Sequence, residues 1–327
     1  IPIVLGSNVI STPLPNRPTV VHEAKKNIKR DFICQDINNI NIYKFLFSEK
    51  INHFFNFAAL KHVRSEENFH SLDYLIKTNC ISPFQLGNLN KLKHLKKIFF
   101  ISTDKTAYPS SLMGCSKKIM ENELYRLKRK FKDKFISTVR FANVAFSNGS
   151  LLKNIYDKTL VNSPVGVPDN VCRYFVTHSE AADLCLISTL EEAKNHIIIP
   201  SKESIGKQMP LKDLAVKIIK KLGKVPIFVK KIFISRVKVQ QIILEQRKIL
   251  GQKNEEYFFQ HDEKVLDFTG DKRVKKILLY ENSKSNLYLK FFKKAKSLND
   301  YVNFFSQIFN KKYLKSKGKK IFLKNII

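Results

Sequence analysis

Residues 98–118 read IFFISTDKTAYPSSLMGCSKK, and they decide the fold more than any other part of the 327-residue chain. An apolar strand runs into the polar residues 102–105, and the helix that follows carries Met113 and Lys117. Parallel sheets bind their ligands beyond the carboxyl ends of the strands. The stretch therefore predicts a sheet strand that ends in a functional site, with the Lys of the next helix facing inward.

The same alternation of strand and helix surrounds this stretch. Strands are predicted at 32–35, 53–57, 97–101 and 135–140, and helices at 42–48, 71–92 and 113–131. Continuous apolar strands separated by helices indicate an α/β fold, a Rossmann-like parallel sheet with helices on both faces. The strand ends then place Asp36 and residues 58–63, 102–105 and 141–150 at one edge of the sheet.

The pattern is less regular after about residue 149. Strands are predicted at 173–176 and 196–199, and helices at 179–190, capped by Ser179, and at 211–222. From about residue 252 the chain is rich in Lys, Asn and Phe with weak periodicity, which indicates a variable tail. The chain starts at Ile1 rather than Met, so we expect a processed protein or a fragment.

Composition narrows the function classes. The net charge is +31, but Lys outnumbers Arg 49 to 10, which is typical of AT-rich coding sequence. Because readers of nucleic acid depend on Arg for bidentate contacts, nucleic-acid binding is not favoured. Five cysteines without a CxxC pair indicate reduced thiols rather than disulfides or a metal site. No run reaches the roughly 18 apolar residues of a membrane span.

Six motifs in collinear order resemble one known family. They are AALKHV at 58–63, KTN at 77–79, ISTDK at 101–105, LMGCSKK at 112–118, RFANV at 140–144 and RYFV at 173–176. Together they are similar to the CapD-like polysaccharide biosynthesis family, which includes the UDP-N-acetylglucosamine 4,6-dehydratases. These are extended short-chain dehydrogenases/reductases. The resemblance covers roughly residues 32–225.

The resemblance implies a reaction, a cofactor and partners. NAD or NADP takes a hydride from sugar C4, the C5 proton and the C6 hydroxyl are eliminated, and the hydride returns to C6. The substrate is a UDP-sugar, and the enzyme acts as a homo-oligomer. The location is the cytoplasm, or the cytoplasmic part of a membrane-tethered protein. Residues 1–148 then form an incomplete dinucleotide-binding part, residues 149–250 a nucleotide-sugar-binding part, and residues 251–327 a variable Lys-rich tail.

The resemblance also assigns roles to residues. In the catalytic set, Asp104 is the acid and Lys105 the base of the elimination, Thr103 holds the sugar C4 hydroxyl, and Lys117 binds the nicotinamide ribose. Met113 stands where the usual catalytic Tyr would be, either as the mark of a subgroup or as a filler of the core in an inactive protein. The cofactor-binding set is Asp36, Ala58, Ala59, Leu60, Lys61, Asn79, Ser102 and Lys117. The substrate-binding set is Lys61, Asn143, Ser150 and Arg173, and no metal is expected.

One departure from the family pattern leaves alternatives open. The Gly-rich turn that seats the cofactor pyrophosphate has no counterpart, so the first βαβ unit is expected to be missing or altered. Either the chain is a piece of a longer enzyme, or it is degraded. A nucleotide-sugar epimerase and a non-catalytic nucleotide-sugar-binding homologue are the two alternative functions.

Overall fold

The computed structural model describes residues 3–5, 8–10, 36–39, 41–44, 51–61, 63–88, 94–232, 238–245, 254–279, 286–292 and 294–309. The predicted strand at 32–35 lies outside these ranges, as does the second half of the helix predicted at 42–48. Residues 41–44 at the start of that helix are helical. Within the described ranges, no helix combines the length and the apolar character needed to cross a bilayer.

The described strands and helices alternate for much of the chain. The strands are β1 Ile3–Leu5, β2 Asn8–Ile10, β3 His53–Asn56, β4 Lys97–Ile101, β5 Phe135–Val139, β6 Asn143–Val144, β7 Val165–Pro168, β8 Cys172–Arg173, β9 Phe175–Val176, β10 His196–Pro200, β11 Met209–Pro210, β12 Val225–Phe228, β13 Val239–Glu245, β14 Val265–Asp267 and β15 Val274–Leu278. The helices are α1 Phe69–Asn88, α2 Leu112–Lys130, α3 Leu151–Leu160, α4 His178–Ile187, α5 Lys202–Ile205, α6 Leu211–Lys221, α7 Asn286–Phe292 and α8 Leu298–Ile308. Short 3-10 helices span Val63–Glu67, Asp104–Thr106 and Glu191–Ala193.

An eight-stranded sheet forms the centre of the described structure, in the order β14-β15-β10-β5-β4-β3-β1-β2. The four middle strands, β3, β4, β5 and β10, are parallel to one another. The outer strands on both sides are antiparallel to their neighbours. Because the middle strands are parallel, the segments that follow them all emerge at the same edge of the sheet, as the sequence predicts.

Both faces of the sheet are covered by helices because successive strand residues face opposite ways. In β4, Ile98 and Phe100 pack on one face with Leu124 and Leu127 of α2. Phe99 faces the other side, where Leu184 and Ile187 of α4 pack. The predicted α/β fold with helices on both faces is therefore confirmed.

A smaller layer follows the main sheet. A three-stranded parallel sheet of β12, β13 and β7 packs against α3 and α6 through Ile242, Leu152, Ile155 and Ile219. Two short ladders, β6 with β9 and β8 with β11, connect this layer to the segments at the edge of the main sheet. They position Asn143 and Arg173, two of the predicted substrate-binding residues.

Several boundaries differ from the prediction for local reasons. Helix α4 is capped by Thr177 rather than by Ser179, because the Thr177 hydroxyl accepts from the Glu180 N–H (3.1 Å) and the Glu180 carboxylate accepts from the Thr177 N–H (2.7 Å). The strand predicted at 173–176 is two short strands interrupted at Tyr174.

The segment predicted as a weakly patterned tail is built into the fold where the structure describes it. Strands β14 and β15 extend the main sheet beside β10, with Ile277 in the core. Helices α7 and α8 pack Tyr288 and Tyr301 against α1 and α2. At the opposite edge, the β1–β2 hairpin pairs antiparallel with β3. The proposed domain boundaries remain a prediction.

Candidate functional site

The loop after β4 forms the centre of the site. Asp104 is 1% exposed and is the first residue of a 3-10 helix. The side chain of Thr103 caps the N-terminus of this helix. The Thr103 hydroxyl donates to Asp104 Oδ1 (2.8 Å), and the Lys105 ammonium donates to the same oxygen (3.0 Å). The side chain of Lys105 is 32% exposed. A buried carboxylate is therefore joined to the ammonium of a partly exposed side chain.

Gly114 explains how the next helix can approach this loop. A Cβ atom at Gly114 would lie 3.0 Å from the carbonyl oxygen of Lys105 and 3.4 Å from the Ser111 hydroxyl. The Ser111 hydroxyl itself accepts from the Gly114 N–H (3.1 Å) and caps α2. The glycine thus lets the first turn of α2 pack directly on the backbone of Lys105.

Asp104 and Lys105 each stabilise the charged form of the other. Burial would raise the pKa of Asp104, but the Lys105 ammonium and the Thr103 hydroxyl outweigh it and hold that pKa below its usual value. Burial would lower the pKa of Lys105, but the carboxylates of Asp104 and Glu256 raise it. In this state Asp104 is a carboxylate and Lys105 an ammonium. An acid Asp104 and a base Lys105 need the opposite protonation, which one proton transfer between them provides.

Glu256 joins the same cluster, although the sequence did not point to it. It is 4% exposed, and its Oε1 lies 3.3 Å from the Lys105 ammonium and 3.1 Å from Nε of Arg173. The Asn143 amide donates to its Oε2 (2.8 Å). Three residues predicted separately are therefore brought together by one carboxyl group from the segment described in advance as a tail.

Gln208 fixes the backbone of Glu256. Its side-chain amide donates to the Glu256 carbonyl (3.1 Å), and its side-chain oxygen accepts from the Glu256 N–H (3.0 Å). Burial, together with the Asp104 carboxylate, raises the pKa of Glu256 to about 7. Glu256 thus carries a proton in part of the molecules near neutral pH.

The predicted substrate residues surround this cluster. Arg173 also donates from one terminal nitrogen to the Cys172 carbonyl (2.7 Å) and the Asn254 carbonyl (3.3 Å). Asn143 donates to the Tyr174 carbonyl (3.2 Å), and its oxygen lies 3.4 Å from the Lys105 ammonium. The structure brings Arg173, Asn143 and Lys105 into contact with one carboxyl group, Glu256.

Lys61 and Ser150 lie on the neighbouring loops. The exposed Lys61 ammonium donates to the Ser147 hydroxyl (3.1 Å). Partial burial and the Lys105 charge lower the pKa of Lys61. Ser150 caps α3 by accepting from the Lys153 N–H (3.3 Å), after a turn in which Gly149 has a φ of 69°.

Lys117 and Ser102 lie deeper under the sheet edge. The Lys117 ammonium is buried, donates to the Ile101 carbonyl (3.0 Å) and contacts the Met120 sulfur (3.8 Å). Burial lowers its pKa to about 8. The Ser102 hydroxyl donates to Glu121 (2.7 Å). Ser102 thus holds the loop to α2 through its side chain.

Met113 is a packing residue in the observed arrangement. Its side chain is 4% exposed and belongs to an apolar cluster with Leu72, Ile119 and Tyr301. Its N–H donates to the Glu66 carboxylate (2.9 Å). The position holds no proton-transfer group, because a thioether is only a weak acceptor.

The remaining predicted cofactor residues form the loop after β3. The Asn79 amide donates to the Leu60 carbonyl (3.0 Å) and the Ser116 hydroxyl (3.0 Å), and its oxygen accepts from the Leu60 N–H (3.0 Å). Asn79 therefore ties this loop to α1 and α2. Ala58 is buried and its N–H donates to Asn56, whereas Ala59 is partly exposed. Asp36 is exposed, and one of its oxygens accepts from the Tyr74 hydroxyl (3.3 Å).

A buried charge network supports the loop from below. Arg140, fully buried, binds Glu121 (2.7 Å) and Glu263 (2.6 Å). The Lys118 ammonium lies 3.2 Å from Glu263. Glu121 also accepts from the hydroxyls of Ser102 and Thr106. The network links the end of β4, α2 and the segment that carries Glu256. The sequence did not predict it, because Arg140 and Glu263 are 123 positions apart in the chain.

The described residues fit the nicotinamide end of a dinucleotide. The Lys117 ammonium has three N–H groups, of which one is used by the Ile101 carbonyl. A second points to a weak sulfur acceptor, so this cation can hold a ribose hydroxyl. Residues 11–35 lie outside the described ranges, so the prediction of a missing or altered first βαβ unit stays a prediction.

The parallel core, with helices on both faces and the candidate site at the carboxyl edge, defines a Rossmann-like α/β fold. Solved structures share this fold. Pen from Bacillus thuringiensis has a TM-score of 0.64 at 20% identity, covering 88% of this chain and 84% of that one. A UDP-glucuronic acid 4-epimerase from Bacillus cereus, in complex with UDP-glucuronic acid and NAD, has a TM-score of 0.57 at 17% identity, covering 89% and 83%.

The chain belongs to the polysaccharide biosynthesis protein family, whose model matches residues 16–277. Capsular polysaccharide biosynthesis protein CapD of Staphylococcus aureus is 31% identical over 169 residues, covering 51% of this chain and 27% of the relative. A UDP-glucose 4-epimerase of Rickettsia bellii is 27% identical over 166 residues, covering 50% and 48%. The chain therefore spans about half or less of the length of these relatives.

Proposed function

We propose that this protein is an NAD(P)-dependent nucleotide-sugar 4,6-dehydratase that converts a UDP-N-acetylhexosamine to its 4-keto-6-deoxy derivative for polysaccharide biosynthesis. The observation that carries the proposal is the buried Asp104 carboxylate, joined at 3.0 Å to the partly exposed Lys105 ammonium at the carboxyl end of β4. Elimination of water needs an acid and a base within one small site, and this pair supplies both.

The protons can be followed through this pair. Transfer of a proton from Lys105 to Asp104 gives a neutral amine and a carboxylic acid, a change that exclusion of water on substrate binding favours. The Lys105 amine takes the C5 proton, and the C5–H electron pair forms the double bond to C6. The C6–O bond breaks as Asp104 protonates that oxygen, which leaves as water. A bound nicotinamide cofactor supplies the hydride acceptor at C4 and the hydride donor at C6. The Lys105 ammonium returns a proton to C5 as the hydride adds to C6.

The basic groups around the pair suit an anionic substrate. Lys61 and Lys105 lie on the loops after β3 and β4, and Arg173 lies in β8. The charge of Lys105 lowers the pKa of Lys61, and that of Arg173 acts to lower the pKa of Lys105, in support of one cationic site. Arg173 brings a guanidinium charge to a diphosphate, with Asn143 on the same Glu256 carboxyl group as a polar partner. We propose Ser150 as a further polar partner of the substrate. We extend the proposal to a homo-oligomeric enzyme that acts in the cytoplasm.

A UDP-sugar 4-epimerase is the second candidate, because a relative of that name matches half of this chain. An epimerase oxidises and reduces C4 alone and needs no acid and base at C5 and C6. The buried Met113 gives a reason to keep the non-catalytic homologue as a third candidate, since no hydroxyl stands at that position for C4 oxidation.

Incubation of the full-length protein with UDP-N-acetylglucosamine and NAD⁺ or NADP⁺ tests the proposal. The dehydratase produces a nucleotide sugar lighter by one water molecule, detected by mass spectrometry. A product of unchanged mass with inverted C4, detected by NMR, supports the epimerase instead. Binding of UDP-sugar without conversion under either cofactor supports the non-catalytic homologue.

A further inference from the structure

Glu256 occupies a position that the acid–base pair alone does not explain. Its carboxyl group contacts three side chains of the site: Lys105, Arg173 and Asn143. Gln208 holds its backbone on both sides. The Glu256 side chain is 4% exposed and lies among the ionisable groups of the site. Its orientation is therefore fixed by these contacts rather than by solvent.

Glu256 and Asp104 share the Lys105 ammonium, which lies 3.3 Å from Glu256 Oε1 and 3.0 Å from Asp104 Oδ1. Asp104 Oδ1 already accepts from Thr103 and Lys105. Asp104 Oδ2 is buried and has no hydrogen-bond partner among the described residues. Two ionised carboxylates cannot hydrogen-bond each other, whereas a protonated Glu256 can donate to Asp104. Burial and the Asp104 charge raise the pKa of Glu256 to about 7, consistent with a retained proton.

We infer that Glu256 is a positioning residue of the elimination site, which orients Lys105 and Arg173 and holds a shared proton against Asp104. This inference rests on the proposed dehydratase function and deepens it. With Glu256 protonated, one carboxylate fewer holds Lys105 as an ammonium. Lys105 therefore loses its proton more readily before it acts as the base.

The charged groups that face Glu256 determine the direction of its pH effect. They are Asp104 and Lys105 from the loop after β4 and Arg173 from β8. The protonated form of Glu256 predominates below about pH 7 and is lost above it. The pH profile of kcat/KM should therefore fall as the pH rises through about 7. Titration of the substrate or of Lys105 would add separate limbs to the profile.

Glu256→Gln tests the inference, with Glu255→Gln as the matched control. The Gln side chain keeps the shape of Glu256, while the adjacent Glu255 is exposed. We expect Glu256→Gln to fold with a melting temperature close to that of the parent and to lack the limb near pH 7, because Gln cannot titrate. Glu256→Ala should lose about 100-fold in kcat/KM through misplacement of Lys105, and Glu256→Gln, which keeps the hydrogen bonds of a protonated Glu, should lose much less. We expect Glu255→Gln to keep the kcat/KM of the parent and the fall of kcat/KM near pH 7. An unchanged pH profile in Glu256→Gln overturns the inference.

A second readout does not depend on turnover. Protein labelled with carbon-13 at the Glu carboxyl carbons should show one carboxyl group that titrates near pH 7 and disappears in Glu256→Gln. In Asp104→Asn its pKa should move downward, because the neighbouring charge is removed. A Glu256 carboxyl that titrates in the ordinary range overturns the inference. If the parent converts no UDP-sugar but Glu256 titrates near 7 with this response, the proposed function fails while the proton-sharing pair stands.

Discussion

The Lys105 ammonium lies 3.3 Å from Oε1 of Glu256, a residue 151 positions later in the chain. The contact joins the loop after a central strand to a segment that shows only weak periodicity. It places a second buried carboxyl group beside the Asp104–Lys105 pair. The chemistry of the site therefore depends on three ionisable side chains, of which two are adjacent in sequence and one is distant.

Removal of either member of the adjacent pair should abolish elimination. Asp104→Asn and Lys105→Met remove the acid and the base, and we expect each to lower kcat by about 10²–10⁴-fold. Product formation followed by mass spectrometry measures the loss. Asp133→Asn is the matched control, because Asp133 and Lys134 form a similar adjacent ion pair at 2.7 Å with the carboxylate largely exposed. A control that falls as far as Asp104→Asn would show a general effect on folding.

Met113 should act through packing. Met113→Ala leaves a cavity in the apolar cluster, and we expect a loss of about 2–5 kcal/mol in the free energy of unfolding. Met113→Leu conserves volume and should cost less than about 1.5 kcal/mol while keeping most of the activity. Chemical denaturation and turnover together check both variants. A stable Met113→Leu protein without activity would contradict a purely packing role.

The buried Arg140 network should dominate stability in acid. Hydrogen bonds and charge from Arg140 outweigh burial and lower the pKa of Glu263 to about 2, from an ordinary value of 4.5. A lowered pKa contributes stability that is present above 4.5 and lost as the pH falls through about 2. Glu263→Gln leaves Arg140 with one carboxylate fewer. We expect the free energy of unfolding to fall by about 3–5 kcal/mol at neutral pH and to depend less on pH in acid.

Thermal melts across the acid range measure this effect. The neighbouring Asp262→Asn changes an exposed carboxylate and is the matched control, which we expect to stay near the parent curve. Equal acid sensitivity of the parent and Glu263→Gln would show that the Arg140–Glu263 pair does not set acid stability.

Arg173 should be more important for affinity than for folding. Arg173→Lys loses the planar fork that fits a diphosphate, and we expect UDP to bind about 10- to 100-fold more weakly. Titration calorimetry with UDP measures this without any turnover. Arg273→Lys is the control, since Arg273 is 62% exposed and pairs with Asp271 away from the site. Unchanged UDP affinity in Arg173→Lys would remove Arg173 from the substrate site.

Local pattern predicted the centre of the fold well. Strand Lys97–Ile101 has the bounds that its apolar run predicts, because Ser102 and the polar residues after it end the run sharply. Helix Leu112–Lys130 begins one residue before its predicted start, where Ser111 caps it. Parallel pairing then brings Asp104, Lys105 and Asn143 together, which is why these residues could be grouped from the sequence alone.

The rest depended on contacts that sequence pattern does not encode. Glu256 lies in a short irregular segment, and only its pairing with Gln208 and Arg173 shows its position. No spacing in the sequence selected Glu256 as the partner of Arg173 from the other acidic residues. The sequence did not predict strand β15, because two consecutive Lys residues stand between Val274 and Ile277 and weaken the apolar pattern.

Solvent deuterium at C5 of the product tests the central claim most directly. The full-length protein is incubated in D₂O with UDP-N-acetylglucosamine and the nicotinamide cofactor, and the product is analysed by mass spectrometry and NMR. An acid–base pair at Asp104 and Lys105 predicts a 4-keto-6-deoxy sugar that has lost water and carries deuterium at C5, and Lys105→Met should form none. A C4 epimer that retains its oxygen and its C5 hydrogen would contradict the account.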